Sequence, residues 1–153
     1  MGPVDATVSV LQDFAEFSGR ASRAEYWWFV LVWTVAYFAV LALQRGVGKM
    51  PEYIFIVATA VPVMSVSFRR LHDIGHSGWW AVAEVILIIL LYVVMACAMP
   101  EDEDDTPEAA LKPSLLITGV LSLIASIGII WHFSLPSQPG TNQYGPNPHE
   151  VQS

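Results

Sequence analysis

Four long apolar runs constrain this chain more than any other feature of its sequence. They cover residues 26–43, 51–68, 79–99 and 114–135 and together use about half of the chain. A helix needs about 20 mostly apolar residues to cross a bilayer core of about 30 Å. Backbone polar groups inside lipid must be satisfied within the segment, so such runs fold as helices. The sequence therefore predicts an all-α, polytopic membrane protein, a four-transmembrane-helix bundle that forms a single membrane domain.

The composition supports this prediction and argues against several classes of function. Hydrophobic residues make up 54% of the chain and charged residues 14%, whereas a soluble domain usually carries about a quarter charged residues. The net charge of −7 argues against nucleic acid as a partner, because nucleic-acid binding needs a basic surface. A single cysteine, Cys97, permits neither an internal disulfide nor a cysteine-cluster metal site.

The segment before the first run has a pattern of its own. Between residues 8 and 17 the apolar side chains fall within one helical stripe, with acidic and amide side chains opposite. This pattern predicts a short N-terminal interfacial helix. The alternative is that the same helix packs against the end of the bundle. Ser22 and Glu25 fit a capping box that opens the first span.

The segments outside the spans suggest an orientation. With four spans, both termini and the loop between the second and third spans share one side, which carries four arginines against three basic residues opposite. The positive-inside rule therefore predicts cytoplasmic N- and C-termini. Loop 100–112 is acidic but lacks the glycine and closing glutamate of a calcium-binding loop, so we interpret it as a solvated charge run. The proline-rich tail, 136–153, is predicted to be an extended or turning arm, either folded back or free.

Three polar segments interrupt the apolar background. They read F-S-G-R-A-S-R-A-E-Y-W at 17–27, R-R-L-H-D-I-G-H-S-G-W-W at 69–80, and G-T-N-Q-Y-G-P-N-P at 140–148. At these residues the chain resembles the DUF805 family, small bacterial membrane proteins with no established biochemical activity. The three motifs match the family's pattern in order and spacing, and the resemblance spans nearly the whole chain. It implies a multi-pass protein of the bacterial inner membrane, which is the plasma membrane, and it implies no particular reaction.

By the parity of the spans, all three motifs lie on one side of the membrane, so their polar residues are expected to converge. Two interpretations stay open: the arginines bind anionic lipid headgroups through their phosphates, or they pair with acids and lock the helix ends together. Because His72 lacks a sufficient set of neighbouring ligands, we predict no metal site, and we expect it to donate to Asp73 or to a carbonyl at the helix end. The candidate residues are Arg20, Arg23, Arg69, Arg70, His72 and Asp73.

Glu84 is a second candidate, because a carboxylate inside a span is costly and usually faces the bundle interior. It would serve a small transporter or ion-handling protein as a relay, with Ser65 or Ser67. Alternatively, it lies near the interface and is satisfied by a tryptophan or a backbone group. The small polar stripe at Thr118, Ser122 and Ser126 suits packing and hydrogen bonds between helices, within the bundle or with a second copy.

The sequence carries no catalytic signature. It has no G-x-S-x-G, no phosphate-binding loop and no paired carboxylates with a histidine. A lipid-headgroup enzyme that uses His72 and Asp73 is the least supported alternative. We therefore expect a non-enzymatic protein without a cofactor, an interaction or envelope-associated protein. Its expected partners are the lipid bilayer and either a membrane protein or a second copy of the chain.

Overall fold

A computed structural model describes residues 1–98, 113–148 and 150 of the chain. Within these residues the secondary structure is helical. Four of the helices are long and apolar enough to cross a membrane, which confirms the predicted all-α polytopic class. The acidic loop predicted at 100–112 lies outside the described residues. The helices are α1 (Pro3–Gln12), α2 (Arg23–Val47), α3 (Met50–Asp73), α4 (Trp79–Ala98) and α5 (Pro113–Ser134).

The N-terminal helix forms, but α1 lies five residues earlier than the predicted segment 8–17. Pro3 suits the first turn, and the Asp5 carboxylate accepts from the Gly2 amide at 3.0 Å. Ala6 and Val10 are completely buried, and α1 contacts both α2 and α3. This helix therefore packs against the protein's own helices. Val4, Val8 and Leu11 stay exposed on it, so its position at the membrane interface stays a prediction.

α2 begins at the predicted cap. The Ser22 hydroxyl accepts from the Glu25 amide at 3.2 Å, which satisfies one of the free donors of the first turn. α2 ends before Gly48, whose φ of +80° is a left-handed conformation that favours glycine. Because the chain turns there, α3 begins at Met50 and returns alongside α2.

The contacts between α2 and α3 define an antiparallel pair. The Trp33 indole donates to the Thr59 hydroxyl at 2.9 Å, and the Tyr37 hydroxyl donates to Glu52 at 2.9 Å. Residues later in α2 thus meet residues earlier in α3. This pairing brings the start of α2 to the end of α3, where two of the three sequence motifs lie.

α3 continues five residues beyond the predicted span, to Asp73. Arg69 and Asp73, four residues apart, therefore belong to one helix. The extension is possible because the polar residues at this end of α3 are buried with partners, so their polarity does not end the helix. Gly75, with φ of +82°, then turns the chain before α4.

Contacts group the described residues into two compact units, 1–81 with the tail from Pro136, and 82–135. The first unit contains all three motifs. In the second, the Ser122 and Ser126 hydroxyls each donate to the carbonyl one turn earlier in α5, both at 2.8 Å. These two hydroxyls bond to their own helix, whereas the sequence predicted hydrogen bonds between helices.

Candidate functional site

The first two motifs and the tail meet in the first unit at the carboxylate of Asp73, which is completely buried. Arg20 Nε donates to its Oδ1 at 2.9 Å. Arg70 Nη1 forms an ion pair with Oδ2, and the Ser137 hydroxyl donates to the same oxygen at 2.5 Å. One carboxylate thus binds two arginines and a hydroxyl of the tail. We call segment 17–25, the end of α3 from 69 to 73, and tail residues 137–147 the polar cap.

Arg20 connects the first motif to both other motifs. Besides the contact with Asp73, its guanidinium donates to three carbonyls of the tail: Gln138 at 2.6 Å, Gly140 at 2.8 Å and Gly145 at 3.3 Å. The planar guanidinium offers five donors in a fixed arrangement, and here Nε, Nη1 and Nη2 all have acceptors. Arg20 therefore holds the tail against the end of α3.

The tail in turn caps α3. The Gln138 amide donates to the Asp73 carbonyl at 2.9 Å, and the Asn142 side chain donates to the His72 carbonyl at 2.9 Å. Helix ends leave carbonyls without intrahelical partners. Here the tail donates hydrogen bonds to two carbonyls at the end of α3. Asn142 and Gly145 also exchange a pair of backbone hydrogen bonds at 3.1 Å. Of the two alternatives for the tail, the folded-back one is observed.

Arg69 joins α3 to the two preceding helices. Its Nη1 lies 3.0 Å from the Glu25 carboxylate and 3.5 Å from that of Asp13. Glu25 also accepts from the Ser9 hydroxyl of α1 at 3.2 Å. Nε and Nη2 of Arg69 are buried without a hydrogen-bond partner among the described residues. The buried charge of Arg69 therefore depends on its two acidic neighbours.

The segment after α1 is fixed by a serine of α3. The Ser65 hydroxyl lies 3.1 Å from the Asp13 carbonyl and 2.7 Å from that of Glu16. The Ser18 hydroxyl and amide both donate to the Glu16 carboxylate. These two hydrogen bonds hold the pKa of Glu16 below its usual value, because they stabilise the charged form.

His72 bridges the first and third motifs. Its Nδ1 lies 3.2 Å from the Gly19 carbonyl, and its ring stacks on Tyr144 with centroids 3.8 Å apart and planes at 4°. A carbonyl accepts only, so Nδ1 carries the proton in this contact. His72 thus donates to a carbonyl of the first motif, whereas the sequence predicted Asp73 or a carbonyl at the helix end as its acceptor.

Arg23 differs from the other five candidates. It is the first residue of α2, it is exposed, and no hydrogen bond or ion pair joins it to any described residue. It lies close enough to Arg70 for the two like charges to interact. The structure therefore brings Arg20, Arg70 and Asp73 into direct contact. Arg69 and His72 belong to the same cap through other partners, and Arg23 lies at its edge.

Glu84 belongs to the second unit, where its carboxylate lies 2.7 Å from Nδ1 of His132. The sequence interpretation offered a tryptophan or a backbone group as its partner, and the partner is a histidine 48 residues away. Ser65 and Ser67, the suggested relay groups, use their hydroxyls on carbonyls of the first unit. The sequence did contain an indication of His132 as a candidate, since it is the one titratable side chain in the fourth apolar run.

An open groove of about 540 Å³ lies beside the His72–Tyr144 stack. All three motifs contribute to it, and aromatic side chains dominate its lining. Gly78 makes its shape possible, because a Cβ there would lie 2.2 Å from the ring of Phe68. Sequence reasoning gave no indication of this groove. Its aromatic lining residues are Phe17, Phe68, His72, Trp79 and Tyr144.

The candidate spans and the apolar helix surfaces define a multi-pass helical membrane protein. The chain belongs to the DUF805 family: the family model, described as a protein of unknown function, matches residues 14–146. The chain is similar to the inner membrane protein YhaH of Escherichia coli (strain K12), at 34% identity over 121 residues, which are 72% of this chain and 100% of that protein.

Another relative supports the same location. The inner membrane protein YhaI of Escherichia coli (strain K12) is 36% identical over 95 residues, which are 59% of this chain and 80% of that protein. No solved structure matches. The relatives and the four apolar helices together make this chain a multi-pass inner-membrane protein. Neither relative's name states a reaction.

Proposed function

We propose that this protein is a non-catalytic, envelope-associated interaction protein whose polar cap faces the cytoplasm. In this proposal the cap is a rigid scaffold, and Arg23 at its edge contacts anionic lipid headgroups. The observation that carries the proposal is that Arg23 is exposed without a partner among the described residues, whereas Arg20 and Arg70 share the buried carboxylate of Asp73. A cation that is not engaged internally is available to a ligand.

The surroundings of Arg23 support a headgroup contact. Trp27 and Trp28 follow it on the first turns of α2 and line a shallow groove, and Arg23 and Trp27 share a helical face. Tryptophan prefers the membrane–water interface, and arginines near an anionic leaflet attract its headgroups. In this proposal the remaining candidates, Arg20, Arg69, Arg70, His72 and Asp73, hold the cap in shape.

Arg23→Gln is expected to weaken the binding of phosphatidylglycerol about fivefold, since one arginine near an anionic surface contributes about 1 kcal/mol. The measurement is native mass spectrometry of the purified protein titrated with phosphatidylglycerol. The matched control is Lys49→Gln, which removes an exposed cation from the turn between α2 and α3. Equal binding by both variants would contradict the role of Arg23.

The proposed cytoplasmic position of the polar cap is tested separately, by labelling an introduced cysteine. Thr141 is exposed in the tail, so Thr141→Cys in a Cys97→Ser background provides a single labelling site. A thiol reagent that does not cross membranes should label this cysteine in inverted vesicles and leave it unlabelled in intact spheroplasts. Labelling in intact spheroplasts would place the cap outside the cytoplasm and remove the basis for cytoplasmic headgroup binding.

A second candidate function, proton or cation handling, is favoured by the contact between Glu84 and His132. Both residues lie within candidate membrane spans, where ionisable pairs commonly mark ion pathways. Glu84→Gln is then expected to reduce proton flux into reconstituted vesicles, followed with an internal pH-sensitive dye, to the rate of protein-free vesicles. Glu52→Gln, in the first turn of α3, is the control and should keep the wild-type flux. Wild-type flux in the Glu84 variant would exclude this function.

A further inference from the structure

The groove beside the His72–Tyr144 stack has the properties of a binding site for a planar group. Its walls are aromatic, and the parallel stack of His72 on Tyr144 presents a flat surface. Phe68 meets Trp79 edge to face, with centroids 5.9 Å apart. Ligand sites are typically concave and largely apolar, with a few polar groups that fix orientation. The groove is concave and largely apolar, as such sites are.

The lining residues also provide polar groups that can fix the orientation of a ligand. Neither the Tyr144 hydroxyl nor the Trp79 indole N–H nor the Gln143 side-chain amide has a hydrogen-bond partner in the described part of the chain. All three groups can donate. Because Nδ1 of His72 is engaged by the Gly19 carbonyl, Nε2 of the neutral ring is left as an acceptor. The groove therefore combines several unused donors with one unused acceptor.

The lining residues restrict the charge that a bound headgroup can carry. No lysine, arginine, aspartate or glutamate is among the residues that line the groove. A phosphate would need a cation to compensate its charge away from bulk water, so the lining favours an uncharged headgroup. The groove also lies where one candidate span ends at Asp73 and the next begins at Trp79, which is the level at which an amphiphile has its headgroup.

We infer that this groove binds the headgroup of a lipid-soluble quinone. A quinone ring is planar and uncharged, and its two carbonyl oxygens accept hydrogen bonds from donors such as those of Tyr144, Trp79 and Gln143. In the reduced form the ring hydroxyls also donate, and Nε2 of His72 is an acceptor for one of them. The apolar chain of the quinone extends into the bilayer. The inference is independent of the headgroup contact proposed for Arg23.

The test uses the full-length protein in dodecyl maltoside micelles and decylubiquinone as the probe. Binding is followed by quenching of tryptophan fluorescence, and 1-decanol, which has the tail without the ring, is the reference ligand. The wild type should show saturable quenching by decylubiquinone alone. Tyr144→Phe keeps the ring that stacks on His72 and removes the hydroxyl, so it should bind about tenfold more weakly. Tyr92→Phe, an exposed tyrosine of α4, should bind like the wild type.

Circular dichroism and thermal melting show whether each variant is folded. If Tyr144→Phe melts below the wild type, Gln143→Ala carries the same expectation of weaker binding, because Gln143 is exposed and its side chain has no partner among the described residues. Quenching that does not saturate, or equal affinity in folded Tyr144 and Tyr92 variants, would overturn the inference. Displacement of the quinone by phosphatidylglycerol at equal concentration would instead assign the groove to a phospholipid.

Discussion

Asp73→Asn should lower the free energy of unfolding by about 3–5 kcal/mol, the cost of removing one partner from a buried ion pair. Asparagine preserves the shape of the side chain, but it leaves Arg20 and Arg70 buried without their shared counter-charge. The expected result is early loss of helical signal when the protein in dodecyl maltoside is titrated with sodium dodecyl sulfate. Circular dichroism and tryptophan fluorescence give the transition.

Asp13→Asn is the matched control, because the chemical change is the same. The Asp13 side chain is half exposed and lies 3.5 Å from Nη1 of Arg69, which keeps its closer partner Glu25 at 3.0 Å when Asp13 is changed. The loss in this variant should therefore be about 0–1 kcal/mol, as for a solvent-screened ion pair. A loss of stability in Asp73→Asn no larger than that in Asp13→Asn would mean that the buried carboxylate does not organise the cap.

The membrane-spanning helices were predictable because the hydropathy of a segment indicates whether it is more stable in lipid or in water. The limit of that signal is visible in α3, which was predicted to end at residue 68 and ends at Asp73. Hydropathy treats Arg69, Arg70 and Asp73 as residues that prefer water. In the structure each of them is buried beside a group of opposite charge, and single-residue hydropathy does not include such pairs.

The N-terminal helix shows a second limit. Phe14 and Phe17 completed an apolar stripe that predicted a helix to residue 17, yet α1 ends at Gln12. Phe17 contacts the ring of Phe68 edge to face at 5.3 Å, after the chain has left the helix. An apolar residue with helical spacing can therefore reflect a tertiary contact outside any helix.

The convergence of the motifs followed from the parity of the spans, but the way in which the tail binds did not. Arg20 reaches the backbone carbonyls of Gln138, Gly140 and Gly145, and every residue has such a carbonyl. No side-chain pattern in the sequence therefore indicates which carbonyls accept from Arg20. Likewise, Glu84 and His132 are single polar residues on different helices, so the sequence shows each of them but not their contact.

Arg20→Lys should lower the free energy of unfolding by about 3 kcal/mol, since hydrogen bonds to charged groups contribute about 1.5–3 kcal/mol each. Lysine keeps the positive charge, but a single ammonium group cannot reach Asp73 and the three tail carbonyls together. The tail should therefore loosen first. Hydrogen exchange of the Gln138 amide, which donates to the Asp73 carbonyl, should become faster than in the wild type.

Arg23→Lys is the control for this substitution, because Arg23 is exposed and has no internal partner among the described residues. It should leave both the stability and the exchange of the Gln138 amide unchanged. In Arg20→Lys the pair between Arg70 and Asp73 remains, so the end of α3 should stay protected while the tail exchanges. Equal protection of the tail in Arg20→Lys and Arg23→Lys would contradict the role of Arg20 as the residue that holds the tail against α3.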